Sequence, residues 1–294
     1  MKRNPALNWL VPLIAGLAIT IASVGLFSQG GDGSFSFSTV YGDTVEIYGQ
    51  GIYRHDTSFV AALSNGTDAI ALFVGLPLLL IGYMSYRRGS LRGSLFLIGM
   101  LLYFLYIGAT YTFSVLFNSM FLIYTALFSA SLFATIIALT DFDIQYLASK
   151  VTSNIPRRGI AIFMFVAGLG TLMLWLSELI APIMTGQAPV NLGHYTTMFT
   201  HGFDSAVITP ACVITGIYLL KRKPLGYLLA APLLILCTII GVTVIAQTTS
   251  QTLAGFVFPI GVYIGMIGSW VVMGAFAVGL AISFFRNISE TTQH

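Results

Sequence analysis

Uncharged apolar runs of about twenty residues recur eight times along the chain, separated by short polar gaps. A hydrocarbon core ~30 Å thick takes roughly twenty apolar residues per crossing helix, so each run predicts a membrane span. The runs lie near 9–27, 66–85, 94–116, 119–140, 159–182, 202–220, 227–247 and 254–285. With the N-terminus in the cytoplasm, the inner gaps and ends collect Lys2, Arg3, Arg87, Arg88, Arg92, Lys150, Arg157, Arg158, Lys221, Arg222, Lys223 and Arg286. Arg54 is left alone outside. That asymmetry follows the positive-inside rule and favours eight crossings of the plasma (inner) membrane with both termini cytoplasmic. The expected fold is all-α and polytopic: one integral membrane domain, 1–294, built as an eight-helix bundle. The first run reads as an uncleaved span, because no small-x-small cleavage site precedes the polar segment that follows it.

One exposed gap has a different period. From Ser34 to Tyr41, Phe35, Phe37, Thr39 and Tyr41 alternate with Ser34, Ser36, Ser38 and Val40, and after Gly42-Asp43 a β-rich run follows from Thr44 to Tyr48. Alternation of this kind predicts a small outer β-hairpin over 34–50, between the first two spans. A lone two-stranded hairpin is marginal in water, so it should rest on another part of the protein or at the headgroups. On the inner side, 141–158 is the longest loop and has room for a short interfacial helix.

Composition excludes several classes. Of 294 residues 56% are hydrophobic and 8% charged, with a mean hydropathy of +0.89, whereas soluble domains carry roughly 25% charged residues. The net charge of +3 comes from clustered loop residues, which suit contact with anionic lipid; no basic, aromatic-interleaved surface for nucleic acid is present. Cys212 and Cys237 both lie in apolar runs and read as small packing residues, not as a disulfide framework. The composition points to no cofactor.

The loop at 141–158 divides the chain into two sets of four spans, candidate parallel repeats over 1–140 and 159–286. Asn65-Gly66-Thr67-Asp68, Pro77, Arg87-Arg88 and Gly93 in one set match the order of His201-Gly202-Phe203-Asp204, Pro210, Lys221-Arg222-Lys223 and Gly226 in the other. The Gly-x-Asp elements are 136 residues apart. Parallel repeats are related by an axis along the membrane normal, and in several transporter classes the site lies between them.

Ionisable residues within spans cost ~2.5–3.5 kcal/mol at a helix centre and are functional candidates by default. Asp68, Glu178 and Asp204 are such residues, all toward the outer boundary, with His201 three residues from Asp204 on one helical face. For Asp68 and Asp204 the structural alternative is an acid in the first turn of a helix, complementing its dipole. Glu178 lies near a helix C-terminus, where that explanation fails. His194, His201 and Asp204 are weak metal candidates, since no His-Glu-x-x-His element accompanies them, and no metal is expected. His55 and Asp56 read as a local turn or ion pair. No nucleophile elbow or phosphate-binding loop appears. Asn65-Gly66-Thr67 matches a glycosylation sequon by coincidence. Pro77, Pro210, Pro232 and Pro259 fall inside expected spans, where they should kink them. Gly261, Gly265 and Gly268 form a small-residue stripe suited to close packing within the bundle or in a homo-oligomer.

The strings Tyr48-Gly49-Gln50-Gly51-Ile52-Tyr53-Arg54 and Lys221 to Ala230 resemble segments of uncharacterised polytopic bacterial membrane proteins. The resemblance covers a minor part of the chain and implies a prokaryotic plasma-membrane protein without supplying an activity. Three functions remain open. The first is a permease-like transporter, with an outward acidic vestibule of Asp68, Glu178, Asp204 and His201 for a cation, proton-coupled solute or amphiphile. The second is an intramembrane enzyme acting on a lipid-linked substrate at the outer leaflet. The third is a membrane-anchored sensory or assembly subunit. Catalysis is the less favoured of these, and the lipid bilayer is the one partner the composition requires.

Overall fold

The computed structural model describes residues 4–290; Lys2 and Arg3, assigned above to the inner side, lie outside them. Among the described residues, eight helices are long and apolar enough to cross a membrane. They are α1 (Pro5–Phe27), α2 (Ser58–Arg87), α3 (Leu91–Ser114), α4 (Phe121–Thr140), α6 (Arg157–Thr185), α7 (Phe199–Leu220), α8 (Pro224–Leu253) and α9 (Ile260–Arg286). The short helix α5 (Ile144–Lys150) occupies the long inner loop, started by Asp143, whose carboxylate accepts from the backbone N–H of Gln145 and Tyr146. Helix is the form in which a lipid-embedded segment satisfies its own backbone. Among the described residues, strands occur only in the polar gap after α1.

That gap forms the expected hairpin. β1 (Phe35–Ser38) pairs antiparallel with β2 (Thr44–Ile47), Phe35 opposite Ile47 and Ser38 opposite Thr44. The turn closes where Thr39 N–H donates to the Asp43 carbonyl, with Gly42 at φ 89°. The hairpin is not free-standing: Ile47 bridges to Thr57, and the Phe37 ring meets His194 edge-on at 5.7 Å.

Two helix starts depart furthest from the hydropathy reading, those of α2 and α9. α2 begins at Ser58, eight residues before the apolar run, because Thr57 caps it by accepting from Val60 N–H. After mostly apolar first turns, Ser64, Thr67 and Asp68 are buried against neighbouring helices. Asp68 is therefore the eleventh residue of its helix, not a first-turn acid, and the dipole explanation does not apply to it. At the other end of the chain α9 begins at Ile260, with Pro259 as its N-terminal flank and not an internal kink.

Three helices contain a π-helical turn: Ala71–Gly75 in α2, Asp204–Ile208 in α7 and Tyr263–Ile267 in α9. In α2 and α7 the turn is followed two residues on by Pro77 and Pro210. Proline cannot donate to the carbonyl four residues back, and widening the preceding turn accommodates the gap.

Helices α3 and α8 form the centre, with 72% and 67% of their most apolar windows buried. α3 packs on α2, α4 and α8; α8 packs on α2, α7 and α9; α1 lies against α2 and α4, and α6 against α7. At Gly66 a Cβ atom would stand 2.6 Å from Gln247 Cα, so glycine permits the approach of α2 to α8. Gln247 Nε2 then donates to Thr67 Oγ1 at 2.9 Å, and the sequon at Asn65 is thus part of a packed helix. The stripe Gly261, Gly265, Gly268 behaves otherwise: a Cβ on Gly261 or Gly265 would meet nothing within 4 Å.

Hydrogen bonds mark the two ends of the bundle. At one, Asn4 bonds to Tyr86 (N–H to hydroxyl, 2.7 Å) and to Asp141, Glu290 accepts from Ser90 and from Arg92 N–H, and Thr152 N–H donates to Asn287 O. This end carries Arg87, Arg88, Arg92, Lys150 and Arg286, on segments that these bonds tie together. At the far end Asp56 Oδ1 accepts from Leu116 N–H at 3.0 Å and from the Tyr195 hydroxyl at 2.9 Å, joining the α1–α2, α3–α4 and α6–α7 connections.

Candidate functional site

The four residues singled out by sequence fall into two groups. Glu178, His201 and Asp204 come together between α6 and α7, while Asp68 lies apart among α1, α2 and α3.

In the first group, His201 Nε2 is 3.0 Å from Glu178 Oε2; the histidine side chain is 8% exposed and the glutamate 30%, so the pair runs from the interior toward the surface. The partner that Glu178 needed at its helix C-terminus is thus His201. Trp175, one turn before Glu178 on α6, holds the group together: its ring lies 4.0 Å from that of His201, and its Nε1–H donates to Asp204 Oδ2 at 3.1 Å. Asp204, 4% exposed, opens the π-helical turn of α7. It sits at the edge of a cavity of about 30 Å³, room for a water molecule or two, lined by Tyr106, Thr171, Cys212, Cys237, Trp270 and Met273 among others. The walls are otherwise apolar and aromatic, and Trp270 lies 6.1 Å from Trp175.

The second group is closed. Asp68 is fully buried, its Oδ2 accepting from the Tyr53 hydroxyl at 2.7 Å and its Oδ1 from the Tyr111 hydroxyl at 2.5 Å. A Cβ on Gly25 of α1 would overlap Oδ2, so the backbone of α1 forms the third wall. Tyr124 of α4 stacks on Tyr111 with centroids 5.3 Å apart, and its hydroxyl accepts from Asn118 Nδ2 at 3.4 Å in the α3–α4 turn. Among the described residues no ion pair reaches Asp68; the interior pair is His201 with Glu178.

His194 takes no part in either group. Its Nε2 lies 3.1 Å from the His55 carbonyl and its ring stacks on Tyr195 at 4.9 Å, placing it in the far-end cap. Among the described residues no three His, Cys, Asp or Glu side chains gather as a metal site, so His194, His201 and Asp204 do not form the metal set considered from sequence. Asp56 is 1% exposed and belongs to the same cap, bonded to Leu116 and Tyr195 and not to His55.

Sequence reasoning missed Trp175, Tyr106, Tyr53 and Tyr111. A signal existed for Trp175, which precedes Glu178 by three and so shares its helical face. The tyrosines gave none, because nothing in their spacing shows which acid they reach across helices, 15 and 43 residues away in the case of Tyr53 and Tyr111. No family model, curated protein or solved structure matches the chain, so its activity rests on the chemistry of these two groups.

Proposed function

We propose that the chain is a multi-pass transporter of the plasma membrane, oriented with its termini in the cytoplasm, that admits a cation or cationic amphiphile at the Glu178–His201–Asp204 group. One observation carries this reading: Asp204 is buried in a membrane-spanning helix at the edge of a cavity, at a π-helical turn, one helical turn from a His–Glu pair that extends to the surface. An acid in such a place is costly and is kept where something positive is bound. The aromatic rings of Trp175, Trp270 and Tyr106 suit a cation that must shed its water. Twelve basic residues against one support the orientation.

Internal duplication fits this reading, in a register of 133 residues and not 136. At 133 the π-helical turns 71–75 and 204–208 coincide, as do Pro77 with Pro210 and Gly93 with Gly226. A Cβ on Gly93 would strike Ser85 and Tyr86, and one on Gly226 would strike Tyr218 and Leu219, the same positions displaced by 133. The central helices α3 and α8 are then equivalent. Asp68 corresponds to His201, and Asp204 to Ala71, which explains why the two acids serve different groups.

The test is flux in proteoliposomes loaded with a pH dye or a cation reporter. Flux lost in Asp204→Asn and in His201→Ala, with unfolding unchanged, supports transport. Absence of flux for protons, alkali cations and a quaternary ammonium probe, or flux untouched by both substitutions, overturns it. The His201–Glu178 pair also has acid–base geometry for a lipid-linked substrate at the outer leaflet, and turnover of such a substrate that is lost in Glu178→Gln would favour that second reading.

A further inference from the structure

We propose that Asp68 is a proton-carrying site, loaded from the far end of the bundle through the hydroxyls of Tyr53, Tyr111 and Tyr124. It deepens the transport reading, on which it rests for its role, by making the proton the coupled ion.

The argument begins with room. Both oxygens of Asp68 are engaged by hydroxyls, at 2.7 and 2.5 Å, and the α1 backbone at Gly25 leaves no space even for a methyl group beside Oδ2. A sodium or magnesium ion needs a shell of oxygens at its own distance, and a calcium ion more of them. The proton alone can be added without displacing an atom. Among the described residues, the groups that face Asp68 are uncharged: Tyr53 from the α1–α2 connection, Tyr111 and Tyr103 from α3, Tyr124 from α4, the Gly25 backbone from α1, and the Thr67–Gln247 pair where α8 meets α2. No fixed cation competes for the carboxylate.

Direction is the second step. The hydroxyls lead one way, from Asp68 to Tyr111 and Tyr53, from Tyr53 to Tyr124, and on to Asn118 in the α3–α4 turn, where Leu116 N–H meets the rim residue Asp56. In loading, the Tyr111 hydroxyl passes its hydrogen to Asp68 Oδ1 and takes one from Tyr53, whose hydroxyl interacts with those of both Tyr111 and Tyr124; Tyr53 takes one from Tyr124, which is replenished from water at the turn. One O–H bond forms at Asp68 for each proton taken from water, and the tyrosines end as they began.

Infrared difference spectroscopy of the full-length protein in nanodiscs, between acid and alkaline buffer, reads the carboxylic-acid carbonyl directly. The expected result is a titrating band that disappears in Asp68→Asn and persists in Asp204→Asn. In Tyr111→Phe, which keeps the acid and removes one hydroxyl, the band should move to higher wavenumber. This second variant decides the matter if Asp68→Asn does not fold. A spectrum in which no titrating band is lost in Asp68→Asn or moved in Tyr111→Phe would overturn the proposal and leave Asp68 a static hydrogen-bond staple. The two readings fail separately. A titrating Asp68 in a protein without flux would sink transport alone, and flux that needs Asp204 while Asp68 stays silent would sink the proton site alone.

Discussion

Asp56 offers a direct energetic test of the far-end cap. Its side chain is 1% exposed and lies outside the spans, tying three connections together by accepting from Leu116 N–H and from the Tyr195 hydroxyl, which itself accepts from Thr57 N–H at 3.2 Å. Burial pushes its pKa from 3.8 up to about 6, although the Leu116 and Tyr195 hydrogen bonds pull the other way. At 1.36 kcal/mol per pH unit the displacement corresponds to about 3 kcal/mol. The folded cap holds the proton more tightly than the opened one. Stability is therefore fully present below the ordinary carboxylate pKa, declines as pH rises through about 4 to 6, and is level above that. The opening equilibrium of the cap should rise on the order of 100-fold across this window.

Hydrogen–deuterium exchange of segments 33–57 and 187–198, corrected for the intrinsic chemical rate, reads that equilibrium. Asp56→Asn keeps an oxygen for both donors and removes the charge, so its cap should lose the pH dependence and be at least as closed at neutral pH as the native one. Asp56→Ala leaves both donors without an acceptor and should open the cap by about 1–3 kcal/mol at every pH. If Asp56→Asn keeps the full dependence on pH, or opens the cap as much as Asp56→Ala, the assignment of the effect to a buried carboxylate is wrong.

Other substitutions test the packing. Gly66→Leu should force α2 from α8, whose Gln247 backbone lies where the new side chain must go, and lower the thermal midpoint in detergent by the equivalent of about 1–3 kcal/mol or more. Trp175→Phe keeps a ring against His201 but leaves Asp204 without its indole donor, at an expected cost of about 1–3 kcal/mol in equilibrium unfolding. Glu290→Ala, at the exposed clamp on Ser90 and Arg92, should cost less than about 1 kcal/mol in the same assay and yet speed amide exchange in 287–289.

The number of long apolar helices, the hairpin and the short helix in the longest basic-side loop were legible in the chain because each rests on a period or a length. What hydropathy concealed was polar sequence inside the bundle. Residues 58–65 precede the apolar run, but a capped helix carries them, and the polarity of Thr67 and Asp68 just beyond is absorbed by Leu63 O, Gln247, Tyr53 and Tyr111. A window average cannot see donors that arrive from positions 43 or 180 residues away. For the same reason, reading Asp68, Glu178 and Asp204 as one vestibule assumed that equal depth means proximity. The bundle sets Asp68 against α1 and α3 and the other two acids between α6 and α7, where His201 pairs with Glu178 and Trp175 reaches both His201 and Asp204.

The separation of the two groups does not isolate them, because both central helices touch both. α3 presents Tyr106 to the Asp204 cavity and Tyr111 to Asp68, five residues apart and so roughly 140° around one helix. α8 contributes Leu236, Cys237 and Ile240 to the cavity, and Gln247 bonds to Thr67 beside Asp68. A turn or tilt of α3 that draws Tyr111 from Asp68 must also move Tyr106 at the cavity, since a packed helix moves as a rod. Protonation of Asp68 changes which atom donates in its bond with Tyr111, a change confined to one side of α3 whose consequence is felt on the other. Under the transport proposal this supplies a physical route for coupling between a proton and a cation without contact between them: a shared rigid element whose position both sites bias.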